Sequence, residues 1–350
     1  MTLVINRRPA NGDNVRAITF DRQGPATEVL RLAEQAPPAA PRAGQVVVRV
    51  LSRPIHPGDL VGVEGLSGVP RQRHSFPVSP GLEGMGVIEA AGEGSDALRP
   101  GQRVAFFPVP GSWSELVTVP AEFAVPVPAG VRDETAALML VNPLTLLILM
   151  RAVEQAVAES AGGPVVQTAA GSTIGKLVSS AAKRHGLPLI NLVRSDAGAR
   201  ALQDRFPDHP AISTADPGWR TQVREAAGHR GVPVVLDAVG GSLTRDLTSL
   251  MADGGTLIVY GMLGSGSTAL ESLALTPREL TVQGVSVSRW LSRTPGQRAE
   301  DVSFAASLAE TDPDLFEVAG SYDLADYAAA IAHARRPGKT GTVLLASPAP

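Results

Sequence analysis

The chain has 350 residues, 44% of them hydrophobic, with 36 glycines and 29 prolines. That length predicts roughly two domains and supports a large buried core. A formal charge of −3, a pI near 6.1 and scattered basic residues favour neither nucleic acid nor an anionic membrane as a partner. No cysteine is present, which excludes disulfides and removes the thiolates from which many dehydrogenase zinc sites are built.

Residues 1–14, MTLVINRRPANGDN, lack a sustained apolar core and read as an N-terminal extension rather than a secretory signal. No run of about 18 apolar residues occurs anywhere, so the expectation is a cytoplasmic protein. From 15 to 135 the pattern is of short strands, with candidates at 46–51, 86–91, 103–107 and 116–119. Gly92, Gly94, Pro100-Gly101 and Pro110-Gly111 mark the turns between them. Such a spread predicts a barrel-like domain.

Near Asn142 the pattern changes to alternating helices and strands. Helices are predicted at 142–158, 173–186, 196–206, 218–228 and 242–252, and strands at 164–168, 187–193, 233–237 and 255–260. That alternation predicts a doubly wound parallel sheet. The chain is expected to leave it near Trp290, with helices at 297–310 and 323–335 and a last strand at 341–346. The expected domains are therefore 15–141 together with 291–350, and 142–290.

The most informative stretch runs from Pro164 to Ser195. Val165-Val166 begin a strand, and Ala169, Ala170, Gly171 and Ser172 form a small-residue turn that a pyrophosphate can approach. Gly175 stands where helix and strand pack closely. Ile174, Leu177, Val178, Ala181 and Ala182 recur at helical spacing, and Gly186 with Pro188 ends the helix. The N–H groups and positive dipole end of that helix stabilise an anion at the turn. The strict G-x-G-x-x-G fingerprint is absent, because Ala170 and Ser172 occupy its first two glycine positions. Arg194, at the end of the second strand, suits a ribose 2′-phosphate and hence NADPH. Asp196 either serves the ribose hydroxyl instead or opens the next helix, with Ser195 as N-cap. The six histidines, His56, His74, His185, His209, His229 and His333, form no H-x-x-x-H pair.

Several separated segments occur in one order: G-P-A-T-E-V-L-R-L from Gly24, I-H-P-G-D-L from Ile55, P-G-L-E-G-M-G-V from Pro80, L-R-P-G-Q-R-V from Leu98 and N-P-L-T from Asn142. They continue as Q-T-A-A-G-S-T-I-G from Gln167, N-L-V-R from Asn191, L-D-A-V-G-G from Leu236, V-Y-G from Val259 and S-R-W-L-S from Ser288. This ordered set resembles the zinc-independent medium-chain dehydrogenase/reductases, and within them the mitochondrial-type 2-enoyl thioester reductases and the quinone oxidoreductases. The resemblance implies an α/β fold: a GroES-like β-barrel-type catalytic domain plus a doubly wound parallel-sheet Rossmann domain, assembled as a homodimer through sheet edges near 256–288. It implies NADPH held by Thr145, by Ala170, Gly171, Ser172, Thr173, Ile174 and Gly175, by Arg194, by Val239 and Gly240, and by Tyr260 and Gly261.

Three departures bear on the chemistry. Zinc-dependent relatives carry G-H-E where this chain has Gly81-Leu82-Glu83, so no metal is expected. The enoyl reductases carry a tyrosine in a G-N-Y-G-like segment, here Gly65-Leu66-Ser67-Gly68. Their N-P-x-D pattern appears as His56-Pro57-Gly58-Asp59. His56 and Ser67 are thus the candidate catalytic donors by resemblance; a histidine near its pKa at neutral pH stabilises an enolate or delivers a proton. Trp113 and Trp290 are expected, again by resemblance, to line the substrate cleft. The expected activity is hydride transfer from NADPH to the activated C=C of a 2-enoyl thioester or enone. The alternatives are an NADPH:quinone oxidoreductase and a protein that binds NADPH without turning it over.

Overall fold

The computed structural model describes residues 14–66, 76–160, 162–264 and 266–348. The chain divides into two compact units, residues 1–140 with 309–350, and residues 141–308.

In the first unit the strands are β1 (Val15–Thr19), β2 (Arg31–Gln35), β3 (Gln45–Pro54), β4 (Gly84–Ala91), β5 (Arg103–Phe106), β6 (Leu116–Pro120) and β7 (Ala124–Pro126). Three short helices, α1 (Ala26–Val29), α2 (Pro57–Glu64) and α3 (Asp133–Ala136), lie among them. β1 and β2 form a separate antiparallel pair. β3 is the seam of the main sheet: its first half lies between β4 and β6, and its last residues pair with a strand from the far end of the chain. Alternate residues Val46, Val48 and Val50 enter one core with Val104, Phe106, Val117 and Val119, as the two-residue period of a strand dictates.

The second unit begins with α4 (Val141–Ala158), followed by β8 (Val165–Gln167), α5 (Thr173–His185), β9 (Leu189–Val193), α6 (Asp196–Arg205), β10 (Ala211–Ser213) and α7 (Trp219–Ala227). It continues with β11 (Val232–Asp237), α8 (Ser242–Thr248), β12 (Met251–Val259), α9 (Ser272–Leu275), β13 (Thr281–Gly284) and α10 (Pro295–Thr311). The six strands pair in parallel in the order β10-β9-β8-β11-β12-β13. Every residue of β9 and β11 is buried, the mark of strands covered on both faces. α4 is long and apolar enough to cross a membrane by length and composition, but more than half of it is buried, as in a core helix.

The chain then returns to the first unit as β14 (Val318–Asp323), α11 (Tyr327–Ala334) and β15 (Thr342–Ala346). Leu324, Ile331, Val343 and Leu345 complete a second core with Ile18, Phe20, Leu60 and Trp113. The return falls at residue 309, not at 291 as the sequence suggests. Buried Asp301 is the physical reason: it pairs with Arg151 of α4 and, at 2.8 Å, with Arg293, which ties α10 to the second unit.

Candidate functional site

In the second unit the strand order reverses between β8 and β11, so their carboxyl ends border the crevice in which doubly wound sheets take ligands. The turn expected after β8 is formed. Ala169 adopts φ +50, Ala170 is fully buried with its N–H on the Leu192 carbonyl at 3.1 Å, and the Ser172 hydroxyl caps α5 by accepting the Gly175 N–H at 3.1 Å. A Cβ on Gly175 would lie 2.5 Å from the Ala170 carbonyl oxygen, whereas one on Gly171 would meet nothing nearer than 3.8 Å. Gly175 therefore lets helix and turn touch. Gly171 and the N–H groups at the α5 terminus, Thr173 and Ile174 among them, form the cradle toward which an anion is drawn.

Arg194, just past β9, is exposed and makes no hydrogen bond or ion pair among the described residues. Ser195 caps α6 by accepting the Gly198 N–H at 3.2 Å, and Asp196 stands in that helix's first turn. Of the two openings for Asp196, the helical one is present, and the guanidinium is left for a ligand.

Opposite, buried Asp237 at the end of β11 accepts the Thr168 hydroxyl at 2.8 Å, the Thr244 hydroxyl at 2.6 Å and the N–H groups of Val239 and Gly240 at 2.9 and 3.2 Å. It thereby fixes the loop on which Val239 and Gly240 stand, with Gly240 at φ +76. The next loop is laced to it: the Tyr260 N–H reaches the Asp237 carbonyl at 2.9 Å, and a Cβ on Gly261 would fall 2.8 Å from the Ala238 carbonyl oxygen. The buried Tyr260 hydroxyl has no hydrogen-bond partner, and burial pushes its pKa up. Thr145 is less available than expected, since its hydroxyl donates to the Val141 carbonyl at 2.7 Å. A phosphate cradle, an uncommitted cation one strand away and an unsatisfied buried phenol together fit a dinucleotide phosphate.

In the first unit, His56 is the N-cap of α2, with Pro57 at the first helical position. Its N–H donates to the Asp59 carboxylate at 2.9 Å, and the Asp59 N–H donates to its carbonyl at 3.1 Å. Nε2 of His56 lies 2.6 Å from Oε2 of Glu83, whose other oxygen accepts the Leu140 N–H at 2.9 Å. Burial opposes charge on the imidazole, but the hydrogen bond and field of Glu83, with the field of Asp59, outweigh it and raise the His56 pKa. Burial raises Asp59 to about 6, against the pull of His56 and its N–H. Leu82, where zinc-dependent relatives carry histidine, is 43% exposed.

The two tryptophans expected in a cleft wall are enclosed instead. Trp113 is 0% exposed, with its indole N–H on the Pro54 carbonyl at 3.2 Å. Trp290 is 2% exposed, with the Arg298 guanidinium 5.7 Å from its ring. Both are core. Ser67 lies outside the described residues. Among the described residues no group of three or more His, Cys, Asp or Glu gathers to hold a metal. Sequence reasoning passed over Asp237, Asp59 and Glu83. Asp237 carries a signal, as the one charge on an otherwise apolar strand; Asp59 carries another, three residues past an N-cap.

Residues 42–129 match the alcohol dehydrogenase GroES-like domain, and residues 173–306 match the zinc-binding dehydrogenase domain. The mitochondrial enoyl-[acyl-carrier-protein] reductase of Arabidopsis thaliana is 28% identical over 284 residues, 79% of this chain and 73% of the relative. A Bacillus thuringiensis structure, titled as a candidate NADPH:quinone reductase, superposes with a TM-score of 0.84 at 26% identity, covering 96% of this chain and 99% of that one. The fold is shared too by Escherichia coli quinone oxidoreductase complexed with NADPH, with a TM-score of 0.81 and 24% identity over 95% and 100% of the two chains. With both domains in order and the parallel sheet, these findings make the chain a medium-chain dehydrogenase/reductase. It is, more particularly, an oxidoreductase of the enoyl reductase and quinone oxidoreductase kind.

Proposed function

We propose that the protein is an NADPH-dependent, metal-independent reductase that transfers hydride to the activated C=C of a 2-enoyl thioester or enone. The observation that carries this reading is the His56 imidazole, paired at 2.6 Å with a buried carboxylate that favours its protonated form: a donor suited to the enolate that forms as hydride arrives at the β-carbon. Bound NADPH would supply the hydride. Arg194 would pair with its 2′-phosphate, the α5 terminus would face its diphosphate, and the loops fixed by Asp237 would border the nucleotide. The chain's lack of cysteine and Leu82 in the zinc-ligand position support chemistry without metal.

A quinone as acceptor is the second reading, favoured by the names of the structural neighbours and by Ser67 standing where the enoyl reductases have tyrosine. NADPH consumption with a short 2-enoyl thioester, an enone and a 1,4-quinone side by side, with NADH as control, separates the two. Reduction of the thioester or enone is expected; turnover confined to the quinone overturns it. Binding without any turnover would instead mark a protein that only holds the nucleotide.

We further propose a cytoplasmic homodimer formed through β13. It is the outer strand of the six-stranded sheet and Val282 on it is 42% exposed, an edge that a second copy would cover.

A further inference from the structure

Glu83 is a carboxylate with no access to solvent, and a buried charge is tolerated only when it is paired and hydrogen-bonded. Both of its oxygens are accounted for: one accepts the Leu140 N–H at 2.9 Å and the other meets Nε2 of His56 at 2.6 Å. The amide anchors the carboxylate and the carboxylate anchors the ring, whose side chain keeps 14% of its surface exposed. With Nε2 committed, the ring can address a ligand only through its Nδ1 edge. The Asp59 N–H, which the capping box brings toward that edge, bonds the His56 carbonyl at 3.1 Å, and the imidazole itself makes no cap hydrogen bond.

We infer that Glu83 is a positioning residue for the reduction proposed above: clamped by the Leu140 amide, it fixes the imidazole through Nε2 and presents Nδ1–H as the proton donor to the α-carbon. The inference rests on that functional reading. As hydride, with its electron pair, bonds to the β-carbon, the π pair of the C=C is displaced toward the α-carbon and the adjoining carbonyl. The α-carbon takes the proton from Nδ1, and the N–H bonding pair returns to the ring. The imidazole, now neutral and still donating Nε2–H to Glu83, regains its proton from water. The charged groups acting on the ring are Glu83, from the turn before β4, and Asp59, from the first turn of α2; both favour the imidazolium.

The test compares wild type, Glu83→Gln and His56→Asn in the full chain. Gln keeps an acceptor for Leu140 while removing the charge, and Asn is a favourable N-cap; unchanged near-UV circular dichroism, to which Trp113 in the core of the same unit contributes, together with unchanged NADPH affinity establishes that both variants fold. In wild type, NMR titration should place His56 above 6.5, and Glu83→Gln should lower it by a unit or more. The basic limb of the kcat profile should move down with it. At pH 7.5 kcat should fall about tenfold in Glu83→Gln and about 100-fold in His56→Asn, with the KM for NADPH unchanged. A His56 titration that Glu83→Gln leaves in place overturns the inference, as does full kcat in His56→Asn. If no thioester, enone or quinone is reduced, the functional reading fails instead, and the titration still decides whether Glu83 governs the ring.

Discussion

Arg194 and Asp59 are the residues whose charges make the sharpest claims. A guanidinium without an internal partner has its interaction to give, and a charge-assisted bond to a phosphate contributes about 1.5–3 kcal/mol. Arg194→Gln should therefore weaken NADPH binding by about ten- to a hundredfold and leave NADH binding nearly unchanged, as fluorescence titration would show. Asp59 rises from 3.8 to about 6 on folding, so the folded chain holds a proton there that the unfolded chain releases over that interval. Its contribution to stability is greatest below 3.8 and declines as pH rises to about 6, by about 3 kcal/mol across two pH units. The His56 contribution has the same sign: full below 6.5, it is lost as pH climbs through the higher folded value. Asp59→Asn should flatten the acid part of that slope in urea melts between pH 4 and 6.5. The exposed place of Arg194 just past β9 was legible because strand and turn set its distance from the α5 terminus. Glu83 was not, because its partner His56 lies 27 positions away and nothing along the chain announces the meeting. The two tryptophans misled because a large aromatic satisfies a core as well as a cleft.

At the level of single elements, the β8–turn–α5 unit was read almost residue for residue, since it is held by local forces: apolar strand, N-cap, helical period, αL glycine at Gly186. Those forces also set its sensitivity. Gly175→Ala would place a methyl 2.5 Å from the Ala170 carbonyl oxygen, so the helix must back away from the turn, at a cost of about 1–3 kcal/mol. A melting temperature lower by several degrees and a weaker NADPH complex should appear together. Ser172→Ala removes only the cap, at about 1 kcal/mol, and should lower stability without comparable loss of binding, the helix dipole remaining. β14 was invisible because its half-buried VAGSYD run has no apolar alternation to report, and its place is set by β15.

For the whole molecule, the expected two-domain plan was legible in the change of period near Asn142, whereas the second boundary was not, because it depends on ion pairs to Asp301. Asp301→Ala removes the buried partner of two partly exposed arginines, Arg151 and Arg293, and should destabilise the second unit by about 1.5–3 kcal/mol, read as an earlier transition in calorimetry. Val282→Lys, on the outer edge of β13, should shift the protein from dimer to monomer in sedimentation without changing its melting curve; a wild-type monomer would refute the assembly.

The split first unit also has a temporal side. Because β3 takes β15 as a partner and the core around Trp113 waits for Val343 and Leu345, a ribosome finishes everything the second unit needs before it delivers the pieces the first unit lacks. The second unit can therefore mature during translation, whereas the unit carrying His56 closes only once β14 and β15 have been made, and a chain stopped after residue 308 would leave the core around Trp113 open to chaperones and proteases.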